Sequence, residues 1–276
     1  MSLVRPAIYY WIFLLALLVY VITAYNSHGF YYADEHFQII EFAKLKCDLN
    51  TIQDMPWEYK EQLRSTIQPL LCLLIFKFCN LVHITNPYNF GFVLRLLSAF
   101  FALFTIHYFI IYTAYLIHSE HAKIAYYLFS YFIWFIPFIS VHFSSENMGG
   151  LCFLTSLTIF FNPFIQQKKN FFMGCLMGLS FLFRFQMIFA VLGLVLWLVL
   201  VGKISFKNVM HLLSGFLLVI SIGILIDCWF YEKPVLTAWN YFYAFYDNTV
   251  NDVVKQRLEV ALARSRQRHA DLRHPR

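Results

Sequence analysis

A chain of 276 residues that is 60% hydrophobic, 20% aromatic and only 13% charged is not an ordinary soluble domain, where about a quarter of residues carry charge. Its net charge of +6 is misleading, because seven Lys/Arg and two acids from Val253 onward supply +5 of it. The basic character belongs to a tail, and nucleic acid is not among the expected partners. Serial apolar runs of roughly 15–25 residues fit spans of a ~30 Å hydrocarbon core. Only helices or closed barrels satisfy the backbone there, and the alternation of barrel strands over about ten residues is missing. The predicted fold class is therefore an all-α polytopic membrane protein.

Residues 7–25 form the first predicted span, preceded by Arg5. A cleaved signal peptide is the rival reading, but the run is long and ends in Tyr25-Asn26-Ser27-His28, a poor cleavage site. A polar first loop follows over 26–68, holding Asp34, Glu35, Glu41, Asp48, Asp54, Glu58 and Glu61. The run 69–83 is short and carries Lys77, which reads as interfacial or re-entrant. Further spans are expected at 92–117, 122–141, 147–162, 171–185, 186–201 and 208–230. Lys/Arg in short loops prefer the cytosol. Arg5, Lys123, Lys168–Lys169 and Lys203/Lys207 share that side only if 69–83 does not cross. This parity predicts about seven crossings and places the loop on the extracytoplasmic side with amphipathic helices in it. Glu146, Arg184, Asp227, Tyr231 and Lys233 fall on the same side. Ionisable groups gathered at span edges mark a polar cavity.

The six cysteines, Cys47, Cys72, Cys79, Cys152, Cys175 and Cys228, have no metal-type spacing. Neither a disulfide framework nor a metal site is expected. Residues 251–276 contain no aromatic side chain. They read either as a surface helix on anionic lipid or, the preferred expectation, as a tail left by truncation or a frameshift.

The acidic loop is where chemistry is expected. At 3.6 residues per turn, Asp34, Gln38 and Glu41 fall within a sector of about 60°. Acids in a first turn also suit the helix dipole, so Glu35 and Glu41 have a purely structural alternative. Asp34, at the predicted loop-to-helix junction, is the candidate catalytic base, with Glu35 beside it. Glycosyl transfer needs a carboxylate to take the acceptor proton, an effect typically worth about 10²–10⁴-fold. Arg64, Arg184 and Lys233 could face the charge left on a phosphate; snorkelling from a helix end is the lesser alternative for Arg184. Neither a dinucleotide fingerprint nor a P-loop occurs, which favours a sugar carried on a membrane lipid over a nucleotide-sugar.

At these residues the sequence resembles the Alg9-like mannosyltransferases of the GT-C superfamily. The family's His-Pro-Asp-Glu-like element, followed by Phe/Trp-Gln and Glu, is matched by Tyr32-Ala33-Asp34-Glu35-His36-Phe37-Gln38 and Glu41. Trp57-Glu58-Tyr59 and Arg64-Ser65…Pro69 match its later loop. Arg184 and the Asp227-Cys228-Trp229-Phe230-Tyr231 turn resemble later elements. The likeness covers residues 5–250, with Tyr32-Ala33 replacing His-Pro, and it stops where the tail begins. The resemblance implies a GT-C-type helical bundle and a mannosyltransferase using a dolichyl- or undecaprenyl-phosphate sugar, without further cofactor. It implies single-step inversion onto a glycan or glycolipid acceptor, as in N-glycan or GPI-anchor assembly. By the same resemblance, Glu35 positions the sugar and Arg184 lies near the lipid phosphate. Gln38, Glu41, Trp57, Glu58, Arg64, Glu146, Asp227, Tyr231 and Lys233 are carried over as substrate-binding candidates. The expected location is a multi-pass membrane protein, with the bacterial inner membrane favoured over the endoplasmic reticulum. A glycolipid transporter or a non-catalytic membrane subunit is the alternative.

Overall fold

Hydrocarbon offers no hydrogen bonds to a bare backbone, so apolar runs fold into helices that bond within themselves. The computed structural model describes residues 5–27, 29, 35–164 and 168–247. Asp34 and the 251–276 tail, both singled out from the sequence, lie outside them. Among the described residues the regular elements are all helical. They are α1 (Arg5–Asn26), α2 (Glu41–Leu45), α3 (Trp57–Lys60), α4 (Ile67–Leu81), α5 (Pro87–Thr113), α6 (Glu120–Phe132) and α7 (Phe135–Ser140). Then come α8 (Ser145–Phe161), α9 (Lys169–Phe183), α10 (Met187–Leu200), α11 (Phe206–Tyr231) and α12 (237–247). Among the described residues three segments are long and apolar enough to cross a membrane: Ala7–Asn26, Pro87–Leu116 and Phe206–Tyr231. Outward faces such as Trp11, Leu15, Leu18 and Leu225 are exposed apolar side chains, as a lipid-facing surface requires.

Local chemistry sets several boundaries. Asn86 caps α5 by accepting from the Tyr88 N–H, and Pro87 opens the helix, where its missing donor costs nothing. Ser144 caps α8 by accepting from the Asn147 N–H at 3.2 Å. The predicted span at 122–141 is broken into α6 and α7. Ile133 adopts a non-helical ψ of 123°, and it lies four residues before Pro137, whose ring would strike its carbonyl in a continuous helix. Arg184 is extended (φ −147°, ψ 108°) and separates α9 from α10.

Cross-helix contacts fix which ends lie together. Arg95 Nε donates to the Ala24 carbonyl at 2.9 Å, so α5 starts where α1 finishes. At the far end Tyr9 OH donates to Glu120 at 3.1 Å. Thr105 meets Thr155 at 3.2 Å, Ser180 Oγ donates to the Gly149 carbonyl at 2.7 Å, and Trp197 packs on Phe160. By these contacts α1, α5, α6 with α7, α8, α9, α10 and α11 run between two ends of the bundle. The α4 helix does not: Thr66 is bonded to Asp227, Phe76 packs on Phe90, and Cys72 and Ile84 share a cavity with Tyr25. All of these belong to the end that carries the acidic loop.

α9 and α11 approach most closely, on glycines. A Cβ at Gly174 would lie 1.9 Å from the Leu212 carbonyl, and one at Gly215 would lie 2.1 Å from that of Phe171. Gly174→Ala must push the helices apart, and overpacking of this kind costs about 1–3 kcal/mol or more. Gly193→Ala meets nothing within 4 Å and, in the interior of α10, is expected to stabilise by about 0.5–1 kcal/mol. Thermal unfolding of the detergent-solubilised chain should therefore show a lowered midpoint for the first variant alone.

Candidate functional site

The loop enters its first described helix as a π-helical turn, Glu35–Ile40, that buries Glu35, Gln38 and Ile39. Such wide turns often occur at functional sites. Gln38 and Glu41, expected from sequence on one sector of a regular helix, lie in and just after this π turn and go to different partners. Gln38 Nε2 donates to both Glu58 oxygens, at 3.0 and 2.8 Å, and Arg64 donates to Glu58 at 3.1 Å. Glu41 accepts instead from Lys44 and Asn50, each at 2.7 Å, with His36 at 2.9 Å. Glu35 is buried against His142, whose Nδ1 lies 3.3 Å from its carboxylate.

The connector bearing His142 is braced from two sides. Asn147 Nδ2 donates to the carbonyls of Ser140 and His142, and Gln68 Nε2 donates to that of Phe143 at 3.1 Å. His142 and Gln68 carry no periodic signal, each a polar residue beside an apolar run.

A buried carboxylate ties this cluster to the bundle. Asp227 is 1% exposed. Its Oδ1 accepts from the Thr66 N–H at 2.6 Å and the Thr66 hydroxyl at 2.7 Å, and its Oδ2 accepts from Thr237 at 2.6 Å. These donors lie at the starts of α4 and α12, where helix dipoles favour negative charge. Tyr231 OH donates to the Arg64 carbonyl at 3.0 Å, and Phe42 stacks on Phe230. Asp227 and Tyr231, read from sequence as substrate-binding candidates, have their polar atoms committed to protein partners.

Glu35, Gln38, Glu58 and Arg64 thus form one neighbourhood, joined by His142 and Gln68. Glu146 and Arg184 form a separate pair at 2.9 Å beside Gly149, where an added Cβ would lie 3.3 Å from that of Arg184. Trp57 and Lys233 are exposed. Beside Glu41 opens a mostly apolar cavity of about 950 Å³ lined by His36, Lys44, Phe76, Tyr88, Phe90 and Arg95 among others. Among the described residues no group of three or more His, Cys, Asp or Glu is placed to hold a metal ion.

The sequence profile of the Alg9-like mannosyltransferase family matches residues 11–250. The chain belongs to that family. It is a glycosyltransferase of a mannosyl-transferring family and, with its long apolar helices, an integral membrane protein. No curated protein and no solved structure matches it significantly.

Asp227→Ala leaves the Thr66 N–H and two hydroxyls without their acceptor in a buried site. The expected loss is about 1–3 kcal/mol of stability, read as a lower unfolding midpoint of the solubilised enzyme. An unchanged midpoint would show that water replaces the carboxylate without cost.

Proposed function

We propose that this enzyme transfers mannose from a polyprenyl-phosphate donor to a glycan or glycolipid acceptor, with inversion, at the extracytoplasmic end of the bundle. The observation that carries the reading is where the lysines of the short connections fall relative to the acidic loop. Lys123, Lys169 and Lys207 belong to elements at one end, where Lys169 donates to the Phe160 carbonyl and Lys123 pairs with Glu120. The carboxylates Glu35, Glu41, Glu58, Glu146 and Asp227 gather at the other. Lysines in short loops favour the cytosol, so the acidic end faces away from it. In this reading the seven end-to-end passages are membrane crossings, and α4 stays on the loop side.

Asp34, the residue before the π turn, acts as the base. The acceptor oxygen attacks the anomeric carbon from the face opposite the phosphate, and its proton passes to the Asp34 carboxylate. The bond from the anomeric carbon to the phosphate oxygen breaks, and that oxygen keeps the electron pair. One displacement inverts the centre without a covalent glycosyl-enzyme. The polyprenyl phosphate so released carries added charge, and Arg184 is suited to face it. Glu35, held by His142, orients the sugar. The wide apolar cavity beside the loop suits the isoprenoid stem, which approaches laterally from the bilayer.

Membranes carrying the chain should transfer labelled mannose from a polyprenyl-phosphate donor. Asp34→Ala is expected to lower kcat by about 10²–10⁴-fold at unchanged expression. Equal transfer by both proteins would remove Asp34 from the mechanism.

A further inference from the structure

Two buried glutamines line a small void between the loop, α4 and the α8–α9 end of the bundle. Gln38 is 5% exposed and Gln68 is 2% exposed. The orientation of each amide is fixed by its neighbour, because a carboxylate or a carbonyl can only accept. Gln38 must turn its NH₂ towards Glu58, and Gln68 must turn its own towards the Phe143 carbonyl. Both Oε1 atoms are consequently directed elsewhere, and both are buried with no hydrogen-bond partner. A flip of either amide would place an oxygen against an oxygen, so these orientations are fixed.

The void has a volume of about 20 Å³, and Arg64, Ser65 and Ser145 share its lining with the two glutamines. That is room for one oxygen atom with its hydrogens, since a single water needs roughly 10–15 Å³ of such space. A whole hexose does not fit. Arg64, Ser65 and Ser145 are half-buried, which puts the mouth of the void on the loop-end face. The occupant must donate, because the two orphaned atoms are acceptors. An anion cannot do this, and a cation would sit beside the Arg64 guanidinium.

We propose that the Gln38–Gln68 notch is a binding site for one neutral O–H donor. A water donates to both glutamine oxygens, whereas a sugar hydroxyl, with one proton, donates to one of them; either can accept from the Ser65 or Ser145 hydroxyl. The donor is either a bound water or one hydroxyl of the sugar substrate. The second source rests on the glycosyltransferase reading, and the first does not.

A ligand-free structure of the full chain, at a resolution that shows water, tests the site directly. The expected result is one density peak within about 2.5–3.0 Å of both glutamine oxygens. An empty notch, or amides turned away from it, overturns the proposal whether or not the chain transfers mannose. The two sources then separate on singly deoxygenated mannosyl polyprenyl-phosphates. If a sugar hydroxyl enters the notch, one analogue loses about 10²-fold or more in kcat/KM on the wild type, because unpaired buried groups discriminate strongly. Gln68→Met then no longer distinguishes that analogue. If water is the resident, Gln68→Met leaves the discrimination among the analogues as it is on the wild type, and the peak persists with donor bound. Wild-type membranes that transfer nothing would count against the enzymatic reading alone, and the density would still decide the site.

Discussion

Asp227 sits near the end of a long apolar helix, where a carboxylate alone would be expensive. It is kept there by donors from two other helices, so the end of α11, the start of α4 and the start of α12 are held at one point. The rest of the polar cluster follows directly from that joint. Arg64 lies two residues before Thr66, its carbonyl is held by Tyr231, and its guanidinium meets Glu58. Glu58 in turn receives Gln38 from the π turn. The loop that carries the acids is therefore attached to the bundle by buried hydrogen bonds, not by its own short helices. Those helices, four and five residues long in α3 and α2, are too short to stand alone.

The same lipid constraint acts over the whole chain. Helices present apolar faces outward, and charge is confined to their ends. Close packing of α9 on α11 through glycine lets backbones approach where water gives no hydrophobic drive, a common solution between membrane helices. The antiparallel run of α5 against α1 leaves the entire stretch from the acidic loop through α4 at one end. A helix of 15 residues there, bearing Lys77, lies among loop elements and not across the bundle. The polar surface is thereby built on one face, with the apolar cavity beside it.

Much of this architecture was legible. Long apolar runs specify helices, and the Arg184 turn and the polar Asp227 region fall where span ends were expected. The break before Pro137 was also written in the chain, although hydropathy alone reads 122–141 as one span. Other features had no local signature. A π turn depends on what its inward side chains find to bind, and the partners of Glu35, Gln38 and Asp227 come from residues 10 to 162 positions away. His142 and Gln68 gain meaning only from the connector and the loop they brace. Asp227 and Tyr231 were legible as special residues, but their commitment to Thr66, Thr237 and Arg64 became apparent only in three dimensions.

The central claim is that the acidic loop and the lysine-bearing turns lie on opposite sides of a membrane. Single cysteines introduced at Gln53 and at Lys168, in a chain freed of its native cysteines, test it through an impermeant thiol reagent applied to sealed vesicles of known orientation. The account predicts that the Gln53 site reacts only from the extracytoplasmic side and the Lys168 site only from the cytosolic side. Reaction of both from one side would contradict it.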